Sequence, residues 1–559
     1  MKEHSLLVIG LDGADPELLR SWVERGKLPG VRSLFESGVQ ANLRTTIPPI
    51  TPTAWSTFAT GTNPGKHGLF DFVKRKEGSY LPRPLSASER GAVALWDILS
   101  VQGMSVGLFN VPMTFPVSPV NRYMISGIPA RDPSADSFYP ERLIDEVAAM
   151  VPDYEVVPAE LLHPRGREKE FAAAALKWVN LRIKVFEYLR HRYPTDLTMM
   201  VFSETDWIQH ALWACMDPTH PAHDSSQKHL ADSILRVYQR IDSYLEELIA
   251  SLDPNTYLII MSDHGFGPLN AYIYVNTWLW ANGFLTVKHS GITVLKELAF
   301  KLGLTPALLY RLMAKLGLGH SIGANVRKRK QSVKSLLDTL FLSFNDVDWS
   351  RSIAYSLGNS GAINVNLKGR EPHGCVQPSE YDSVIAELTA ALYTMEHPLT
   401  GERIVEKVYT KDELYGGPHL DEAPDLLFVP RDWRTAPFGD YSFPSNRWLE
   451  QSFDGRTGWH RMDGIFALIG PGIREGARVD EAHIQDIAPT ALHLLGLPVL
   501  AEMDGRILDD AFTLDFRQSR PAEIIKSTDL ALSPQSAPKL SEQDERVLKE
   551  RLEGLGYIG

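Results

Sequence analysis

Apolar residues occur along this chain in short, unbroken runs that end at polar or glycine-rich positions. Runs of this length are typical of strands that are buried on both faces of a sheet. The predicted strands are residues 6–11, 197–202, 257–261 and 465–469. Longer stretches with apolar residues at helical spacing lie between them, at 170–190 and 229–252. This alternation predicts an α/β fold with a mostly parallel sheet and helices on both faces.

Residues 288–334 differ from their surroundings in charge. They contain ten Lys or Arg residues and one acid, Glu297, so their net charge is +9, whereas the whole chain carries −12 and the remainder −21. Leucines recur here at helical spacing between Leu295 and Leu312, which predicts an amphipathic helical insertion with its leucines packed on the core. The simplest interpretation is a solvated lid. The alternative is a basic surface that attracts an anionic substrate or an anionic membrane.

The sequence after Asp515 becomes polar and contains Pro and Ser, before a short helical pattern capped by Ser541 that includes Leu548 and Leu552. We interpret it as a linker and a docking helix. The predicted division of the chain is an α/β core in two parts, 1–275 and 346–515, a basic helical insertion at 276–345, and the linker with its helix at 516–559.

Composition narrows the class of protein. The hydrophobic fraction of 44% and the charged fraction of 23% are those of an ordinary globular protein. A net charge of −12 disfavours binding of a nucleic-acid polymer. The two cysteines, Cys215 and Cys375, form no disulfide framework. No signal peptide or apolar run of about 18 residues is visible, so we expect a soluble, cytoplasmic protein.

Side chains of the types that bind metal ions lie at the ends of the predicted strands. Those that follow the first three strands are Asp12, then Asp206 and His210, then Asp263 and His264, and His460 lies just before the fourth. The carboxyl ends of parallel strands meet at one edge of a sheet, so these side chains are expected to converge there. A mixed set of nitrogen and oxygen ligands fits zinc or manganese better than calcium.

The spacing of Asp206 and His210 adds a local argument, because residues four apart share one face of a helix. Each residue also has a structural interpretation. Asp206 could cap a helix, His210 could be an ordinary helix residue, and the sequence Asp263-His264-Gly265 could be a turn. Their repeated placement at strand ends favours the metal site.

Residues 51–61, with the sequence TPTAWSTFATG, predict a second chemical feature. Pro52 suits the first position of a helix, which makes Thr51 its N-cap, and Gly61 lies near its end. A hydroxyl there is close to the positive end of the helix dipole, which favours an alkoxide and a bound phosphate. Taken alone, Thr51 could also be a purely structural cap. Neighbouring hydroxyls such as Thr53 lack the position before the proline.

These motifs resemble the alkaline phosphatase superfamily, specifically its type I phosphodiesterase and nucleotide pyrophosphatase family. The motifs are Gly10-Leu11-Asp12-Gly13, residues 51–61 with Asn63-Pro64 and His67-Gly68, residues 206–210, Ser262-Asp263-His264-Gly265, and His460. The resemblance covers residues 6 to about 275 and about 350 to 507. It implies an alkaline-phosphatase-like α/β core and an enzyme that hydrolyses phosphodiester or pyrophosphate bonds.

The resemblance also implies a ligand set for two divalent ions, Zn²⁺ first and Mn²⁺ as the alternative. The implied ligands are Asp206, His210 and His460 for one ion, and Asp12, Asp263, His264 and Thr51 for the other. Thr51 would attack phosphorus and form a phosphothreonine intermediate. The implied substrate is a small phosphate ester of a nucleotide, lipid or sugar.

One position departs from the family pattern. Phe72 stands where nucleotide pyrophosphatases have an asparagine that holds a phosphate oxygen, which puts the diester preference in doubt. The remaining candidates for substrate contacts are Lys74, Arg75, Asn110, Asn359, Lys368 and Arg370. For residues 364–370 a polar hairpin without contact to substrate is an equally good interpretation.

Two other functions stay open at this point. One is a phosphomonoesterase or phosphomutase of the same superfamily. The other is a non-catalytic protein that binds anions or a lipid surface through the basic insertion. A sulfatase is disfavoured, because the sequences around Cys215 and Cys375 do not match the nucleophile motif of that family.

Overall fold

The computed structural model describes residues 4–130, 133–162, 165–315, 339–439, 441–452, 454–532 and 540–555. Its strands are β1 Ser5–Leu11, β2 Val39–Arg44, β3 Val73–Arg75, β4 Pro82–Pro84, β5 Val106–Val111, β6 Arg122–Ser126, β7 Phe138–Tyr139, β8 Leu197–Phe202, β9 Thr256–Met261, β10 Gly265–Pro268, β11 Ala271–Tyr274, β12 Ala354–Tyr355, β13 Ala362–Val365, β14 Val405–Thr410, β15 Leu426–Pro430, β16 Thr435–Phe438, β17 Leu449–Glu450, β18 Gly458–Arg461, β19 Asp463–Ile469, β20 Ala477–Arg478, β21 Ala482–His483, β22 Val499–Leu500 and β23 Ile524–Ile525.

The α-helices are α1 Pro16–Glu24, α2 Pro29–Ser37, α3 Thr51–Thr60, α4 Pro64–His67, α5 Leu95–Val101, α6 Leu143–Met150, α7 Glu168–Arg192, α8 Glu204–Met216, α9 Ser233–Ser251, α10 Val275–Ala281, α11 Gly291–Lys301, α12 Pro306–Lys315, α13 Tyr381–Tyr393, α14 Lys411–Leu414, α15 Ile487–Leu494, α16 Leu514–Ser519 and α17 Glu542–Leu555. The two helices predicted at 170–190 and 229–252 are therefore present as α7 and α9, with shifted ends.

A central sheet of ten strands organises the molecule. Its order is β20-β2-β19-β9-β1-β8-β5-β6-β7, and β21 pairs with β2 beside β20. The five strands from β9 to β6 run parallel to one another, while β19 and β7 are antiparallel to their neighbours. All four predicted strands are members of this sheet, and the prediction of a mostly parallel sheet is confirmed.

Alternate residues of β1 belong to two separate cores, one on each face of the sheet. Leu7 and Ile9 pack with residues of α1, α2, α7, α8 and α9. Leu6 and Val8 pack on the other face with residues of α3, α5 and α15. Both faces are therefore covered by helices, which explains why the strands have apolar residues at nearly every position.

A third core, built from Tyr80 and residues between 273 and 443, lies outside the central sheet. It contains side chains of α10, α13 and the four-stranded sheet β12-β13-β15-β14, among them Trp278 and Tyr355, and it also contains Phe443 from the segment after β16. Packing thus places residues from both sides of the boundary predicted at 346 in one core. We call this unit the cap. The cations at 327, 328, 329, 330 and 334 lie outside the described residues.

The leucines of α11 and α12 are the clearest departure from the sequence prediction. We expected this stripe to pack on the core, but Leu295, Leu302 and Leu312 are 67%, 74% and 49% exposed. In α11 the inward positions are Thr293 and Phe300, which are buried. The amphipathic pattern correctly predicted that these segments are helical. It wrongly predicted that their leucines face the core.

The helix α17 at the end of the described chain packs on the core through two leucines. Leu548 and Leu552 are fully buried beside residues of the first core. Arg551 donates a hydrogen bond to the carbonyl oxygen of Val157, which fixes the same helix to a loop nearly 400 residues away in sequence. Among the described helices, none combines the length and the apolar character that a membrane span requires.

We predict that Leu548→Ala destabilises the protein, because it leaves a cavity in a packed core. Substitutions of this kind cost about 2–5 kcal/mol. Urea unfolding followed by intrinsic fluorescence measures the change. Leu514→Ala is the matched control, because Leu514 is 59% exposed. Equal midpoints for the two variants would show that α17 contributes nothing to the stability of the core.

Candidate metal centre

The helix α3 begins one residue earlier than the sequence pattern predicts. Ile50, in extended conformation, is the N-cap, so Thr51 is the first helical residue and Pro52 the second. The prediction of Thr51 as N-cap was wrong by one position, because proline is tolerated throughout the first turn, where its missing N–H has no helical partner. The helix ends at Gly61, whose φ of 65° is left-handed.

Every residue of α3 is buried, and Thr51 is fully buried. Its hydroxyl Oγ1 lies 3.4 Å from Nε2 of His264. The hydroxyl therefore lies beside one of the predicted metal ligands, at the positive end of the helix dipole.

The predicted ligands converge because they leave three neighbouring strands at the same edge. Asp12 follows β1, and the loop after β9 carries Asp263 and His264. The strand β8 leads into α8, where Asp206 and His210 are one turn apart. β18, which pairs with β10 beyond this edge, brings in the sixth side chain, His460.

The six side chains form one compact, buried cluster. Asp206 Oδ1 lies 3.2 Å from Nε2 of His460 and 3.4 Å from Nε2 of His210. His264 Nε2 lies 3.3 Å from Asp263 Oδ2 and 3.7 Å from Asp12 Oδ1. Two groups of three have ligand atoms within 4.8 Å of one another, and His264 belongs to both.

Backbone carbonyls fix the orientation of all three imidazoles. The Nδ1 atoms of His210, His460 and His264 lie 2.8, 2.8 and 3.0 Å from the carbonyl oxygens of Gly458, Pro49 and Gly265. A carbonyl only accepts, so each Nδ1 carries the proton and each Nε2 presents a lone pair to the centre. The Nε2 atoms of His210 and His460 are only 3.0 Å apart, an arrangement that needs a cation to be favourable.

Asp12 and Asp263 each have one carboxylate oxygen that is held by a hydrogen bond and one that faces the centre of the cluster. Asp12 Oδ2 accepts from the indole N–H of Trp55, and Asp263 Oδ1 accepts from the backbone N–H of Gly13. Asp12 Oδ1 and Asp263 Oδ2 are buried without a hydrogen-bond partner among the described residues. Such buried acceptors are costly unless a cation compensates them.

The electrostatics of the cluster agree with this geometry. Burial, and then repulsion by Asp263, raises the pKa of Asp12; burial and Asp206 raise the pKa of Asp263. Burial also raises the pKa of Asp206, but the neighbouring imidazoles of His210 and His460 outweigh it and lower that pKa below its ordinary value. Burial and neighbouring His460 lower the pKa of His264 to about 3. Neutral imidazoles and crowded carboxylates are a donor set that fits divalent cations.

Two residues of the centre had no role in the sequence prediction. Trp55 holds Asp12, one helical turn after Thr51 in the same motif. Phe266, directly opposite His460 in the β10–β18 pair, packs its ring 4.8 Å from that of His210 and 5.6 Å from that of His460. Phe266 could have been predicted to lie near the centre, because it follows His264 by two residues in the sequence.

The predicted substrate contacts lie largely in the packing between the core and the cap. Lys74 pairs with Glu422 at 3.4 Å, and Arg370 pairs with Asp425 at 2.6 Å. Four of the other five positions are the buried Phe72, Arg75 beside the carbonyl oxygen of Arg370, Asn110 bound to the carbonyl oxygen of Val201, and the exposed Lys368. These contacts give the residues structural roles.

Asn359 belongs to a buried contact that the sequence does not reveal. Its backbone N–H donates to Asp71 Oδ2 at 3.3 Å, and Phe72 N–H donates to Asp71 Oδ1 at 2.6 Å. Asp71 thus links the loop after α4 to the cap. Burial raises the pKa of Asp71 from 3.8 to about 7.

A cleft of about 840 Å³ is lined in part by Phe266, which also packs against this centre. Its lining includes Phe266, Trp213 and Arg461, whereas Thr51 and the six clustered side chains are not part of it. The cluster and this cleft are therefore separate spaces that share the Phe266 wall.

A sequence model of the type I phosphodiesterase/nucleotide pyrophosphatase family matches residues 6–459. The chain belongs to this family. It is a phosphoric ester hydrolase, and the family depends on divalent metal ions. No curated protein sequence matches the chain.

Two solved structures are similar to this family member. Phosphonoacetate hydrolase from Sinorhizobium meliloti 1021, in complex with phosphonoacetate, is similar at a TM-score of 0.53 and 14% identity, over 88% of this chain and 96% of that one. Murine ectonucleotide pyrophosphatase/phosphodiesterase 5 has a TM-score of 0.47 and 16% identity, over 91% of this chain and 100% of that one. The first likeness shows an alkaline-phosphatase-like fold.

We predict that chelation of divalent ions lowers the thermal midpoint of unfolding, because it leaves three buried carboxylates uncompensated. Bound ions at a thousandfold excess over Kd contribute about 4 kcal/mol per site. Calorimetry with and without a chelator measures the shift, and elemental analysis counts the ions.

The double variant Asp12→Asn/Asp263→Asn should lose bound metal and most of this chelator-dependent shift. Asp242→Asn is the control. Asp242 is a buried carboxylate too, but it accepts hydrogen bonds from the N–H groups of Gly30 and Val31, which are not part of the cluster. A chelator shift that is the same in all three proteins would rule out the cluster as the metal site.

We predict a pH-dependent effect for Asp71→Asn. A carboxyl with a pKa raised from 3.8 to about 7 loses its contribution to stability as pH rises through that interval, because the folded state holds the proton more tightly. The free energy of unfolding of the asparagine variant should therefore rise relative to that of the wild type between pH 4 and pH 8, by at most about 4 kcal/mol. Urea unfolding at several pH values measures it.

Asp224→Asn is the control for that series. Asp224 is a solvent-exposed carboxylate whose pKa is lowered by the backbone N–H of Ser226, so its loss should give no such gain. If the curves of Asp71→Asn and the wild type run parallel from pH 4 to pH 8, Asp71 does not titrate as a buried acid.

Proposed function

We propose that the protein is a divalent-metal-dependent phosphodiesterase or pyrophosphatase that uses Thr51 as its nucleophile. The observation that carries this proposal is the position of Thr51 Oγ1, 3.4 Å from His264 Nε2 at the edge of the six-residue cluster. A buried hydroxyl at the start of a helix, next to a site built for cations, is suited to attack a phosphate.

The proposed ligands are divided between two ions. Asp206, His210 and His460 would hold one, and Asp12, Asp263, His264 and Thr51 the other. The contacts of Asp206 with His210 and His460, and of His264 with Asp12 and Asp263, support this division. Zn²⁺ is the first candidate and Mn²⁺ the second, because both accept mixed nitrogen and oxygen ligands. When bound, such ions lower the pKa of a hydroxyl ligand and stabilise charge on phosphate oxygens.

The chain's own groups account for the covalent steps. Thr51 Oγ1 loses its proton to solvent and forms a bond to phosphorus, while the bond between phosphorus and the leaving oxygen breaks. The leaving oxygen takes a proton from water. A second water then attacks the phosphothreonine, breaks its Oγ1–P bond and restores the hydroxyl. The start of α3 stabilises the anionic phosphate throughout, because the positive end of the helix dipole points at it.

The neighbours of the cluster keep this arrangement rigid. Trp55 fixes one oxygen of Asp12, and Gly13 fixes one oxygen of Asp263. Phe266 packs against the imidazoles. A cluster held in this way needs little reorganisation as charge develops on the phosphate.

A phosphomonoesterase or phosphomutase is the second candidate, and one observation favours it. Phe72 is buried in the first core and offers no amide where nucleotide pyrophosphatases have an asparagine. The proposed substrate class is therefore a small phosphate ester, and the number of its ester bonds is the question for experiment.

We predict that Thr51→Ala lowers kcat on the order of a thousandfold or more, because it removes the nucleophile. Metal content should fall little, since six ligands remain. Thr53→Ala is the matched control: Thr53 is a fully buried threonine in the same helical turn. Equal loss of activity in both variants would point to damage of the helix instead of loss of a nucleophile.

The same preparations should be compared on a bis-aryl and a mono-aryl phosphate. Preference for the diester supports the leading proposal, and preference for the monoester supports the second. Quenched turnover of the wild type followed by mass spectrometry should show a phosphate on Thr51. Turnover without any trapped phosphothreonine, and undiminished in Thr51→Ala, would exclude Thr51 from the reaction.

A further inference from the structure

The helix α8 has a row of buried polar side chains beside the row that contributes to the cluster. Asp206 and His210 belong to the cluster and lie four residues apart. Thr205 and Gln209, which directly precede them in the sequence, are also four residues apart, so they share a neighbouring face of the helix. Both side chains are fully buried. This second row contacts the turn that follows β1.

The turn at residues 12–14 is bound to this second row through its carbonyl groups. Thr205 Oγ1 donates to the carbonyl oxygen of Asp12 at 2.7 Å, and it shares its proton with the carbonyl oxygen of Phe202 at the same distance. Gln209 Nε2 donates to the carbonyl oxygen of Gly13 at 2.8 Å. Two consecutive peptide units of the turn are therefore held by α8.

The N–H groups of the same two peptide units reach the loop after β9. Gly13 N–H donates to Asp263 Oδ1 at 3.2 Å, and Ala14 N–H donates to Ser262 Oγ at 2.8 Å. Neither peptide is cis, so its C=O and N–H groups point in opposite directions. Each unit thus joins α8 on one side to the loop after β9 on the other.

This double attachment sets the direction of the Asp263 side chain. The hydrogen bond from Gly13 occupies Oδ1, and Oδ2 faces the cluster. Rotation of the peptide between residues 12 and 13 would move this donor away from the carboxylate. The hydroxyl of Thr205 opposes that rotation, because it holds the carbonyl end of the same peptide. Gly13 has a left-handed φ of 67°, and a Cβ there would lie 2.8 Å from the ring of Phe266, so the turn is closely packed as well.

Gln209 contributes through its donors. Its amide has two N–H groups, and the two shortest contacts of Nε2 are the carbonyl oxygens of Gly13 at 2.8 Å and Thr205 at 2.9 Å. Its acceptor Oε1 is buried and has no hydrogen-bond partner among the residues that the structure describes. Burial of an acceptor without a partner is unfavourable, so the amide is kept in place by the two bonds that it donates.

The other half of the cluster is oriented by different groups. His210 and His460 are fixed by the backbone carbonyls of Gly458 and Pro49. Asp206 lies against these two imidazoles. These contacts do not pass through the turn at residues 12–14, so release of the turn would act on one half of the cluster only.

We propose that Thr205 and Gln209 are positioning residues for one of the two ions. The inference rests on the proposed function, because it uses the division of the ligands given there. The affected ion is the one assigned to Asp12, Asp263, His264 and Thr51, which we call the Asp12 ion. The other, assigned to Asp206, His210 and His460, is the Asp206 ion. By holding the turn, the two side chains keep the free carboxylate oxygens of Asp12 and Asp263 directed at the same centre.

The test is the affinity of the metal-free, full-length protein for Zn²⁺, measured in competition with a chromogenic chelator. Thr205→Val has nearly the same shape as the wild type but lacks the hydroxyl. It should bind the Asp12 ion about ten- to hundredfold more weakly, as is typical when a partner of a metal ligand is removed. Its affinity for the Asp206 ion should be that of the wild type. Circular dichroism of the metal-free proteins verifies that each variant is folded.

Two control variants separate the hydroxyl from the general effect of a substitution. Thr205→Ser keeps the hydroxyl and should bind both ions like the wild type. Thr198→Val removes the hydroxyl of another buried threonine, in β8, whose hydroxyl contacts Thr195. It should also leave both affinities unchanged.

Gln209→Met provides an independent variant of similar size without donors, and it should weaken the same ion. Excess Zn²⁺ should restore hydrolysis of a phosphate ester by this variant and by Thr205→Val, because all of the ligands are still present. In the background Asp12→Asn/Asp263→Asn, adding Thr205→Val should not weaken the remaining ion further, since the two changes act on one site.

The possible failures are distinguishable. Two Zn²⁺ ions in the wild type, with unchanged affinities in Thr205→Val and Gln209→Met, would overturn the inference and leave the proposed function intact. Equal weakening of both ions would do the same, and so would a Thr205→Ser variant as weak as Thr205→Val. A wild type that binds no ion would contradict the proposed function itself, and the positioning roles with it.

Discussion

The compensation of buried charge at one edge of the sheet is the constraint on which this structure depends. Three carboxylates and three imidazoles lie within a few ångströms of one another, away from water. Each imidazole uses its only proton on a backbone carbonyl, so the side chains cannot neutralise one another by sharing protons. Bound divalent cations would resolve this conflict. The surrounding hydrogen bonds hold the carboxylates and imidazoles in these positions.

The topology of the sheet explains how residues so far apart in sequence meet. Strands β9, β1 and β8 are neighbours and parallel, so the loops that follow them open at one edge. The β10–β18 pair then adds His460, and a hydrogen bond from this residue to the carbonyl oxygen of Pro49 links it to the segment just before Thr51. Ligand geometry and the position of the candidate nucleophile are thus coupled through the backbone.

The sequence is informative where one local rule applies. Strands buried on both faces are continuous apolar runs, and all four predicted strands are present in the sheet. Their identification places the ligands, because parallel strands end together. The helix start at Thr51 was misjudged by one residue, since a proline does not distinguish the first from the second helical position. The orientation of α11 was misjudged for a different reason: Asp346, which holds Lys296 inward, lies 50 residues further along the chain. No local pattern reports a partner at that separation.

The position of β19 has a consequence for folding of the chain during its synthesis on the ribosome. This strand spans Asp463–Ile469, yet it lies inside the sheet between β2 and β9. A nascent chain that has not yet reached residue 463 has two apolar strand edges exposed, and such edges are prone to pair with other chains. It also lacks β18 and therefore His460. Completion of the sheet and of the proposed ligand set is consequently a late, nearly simultaneous event, and until then the growing polypeptide depends on protection from aggregation.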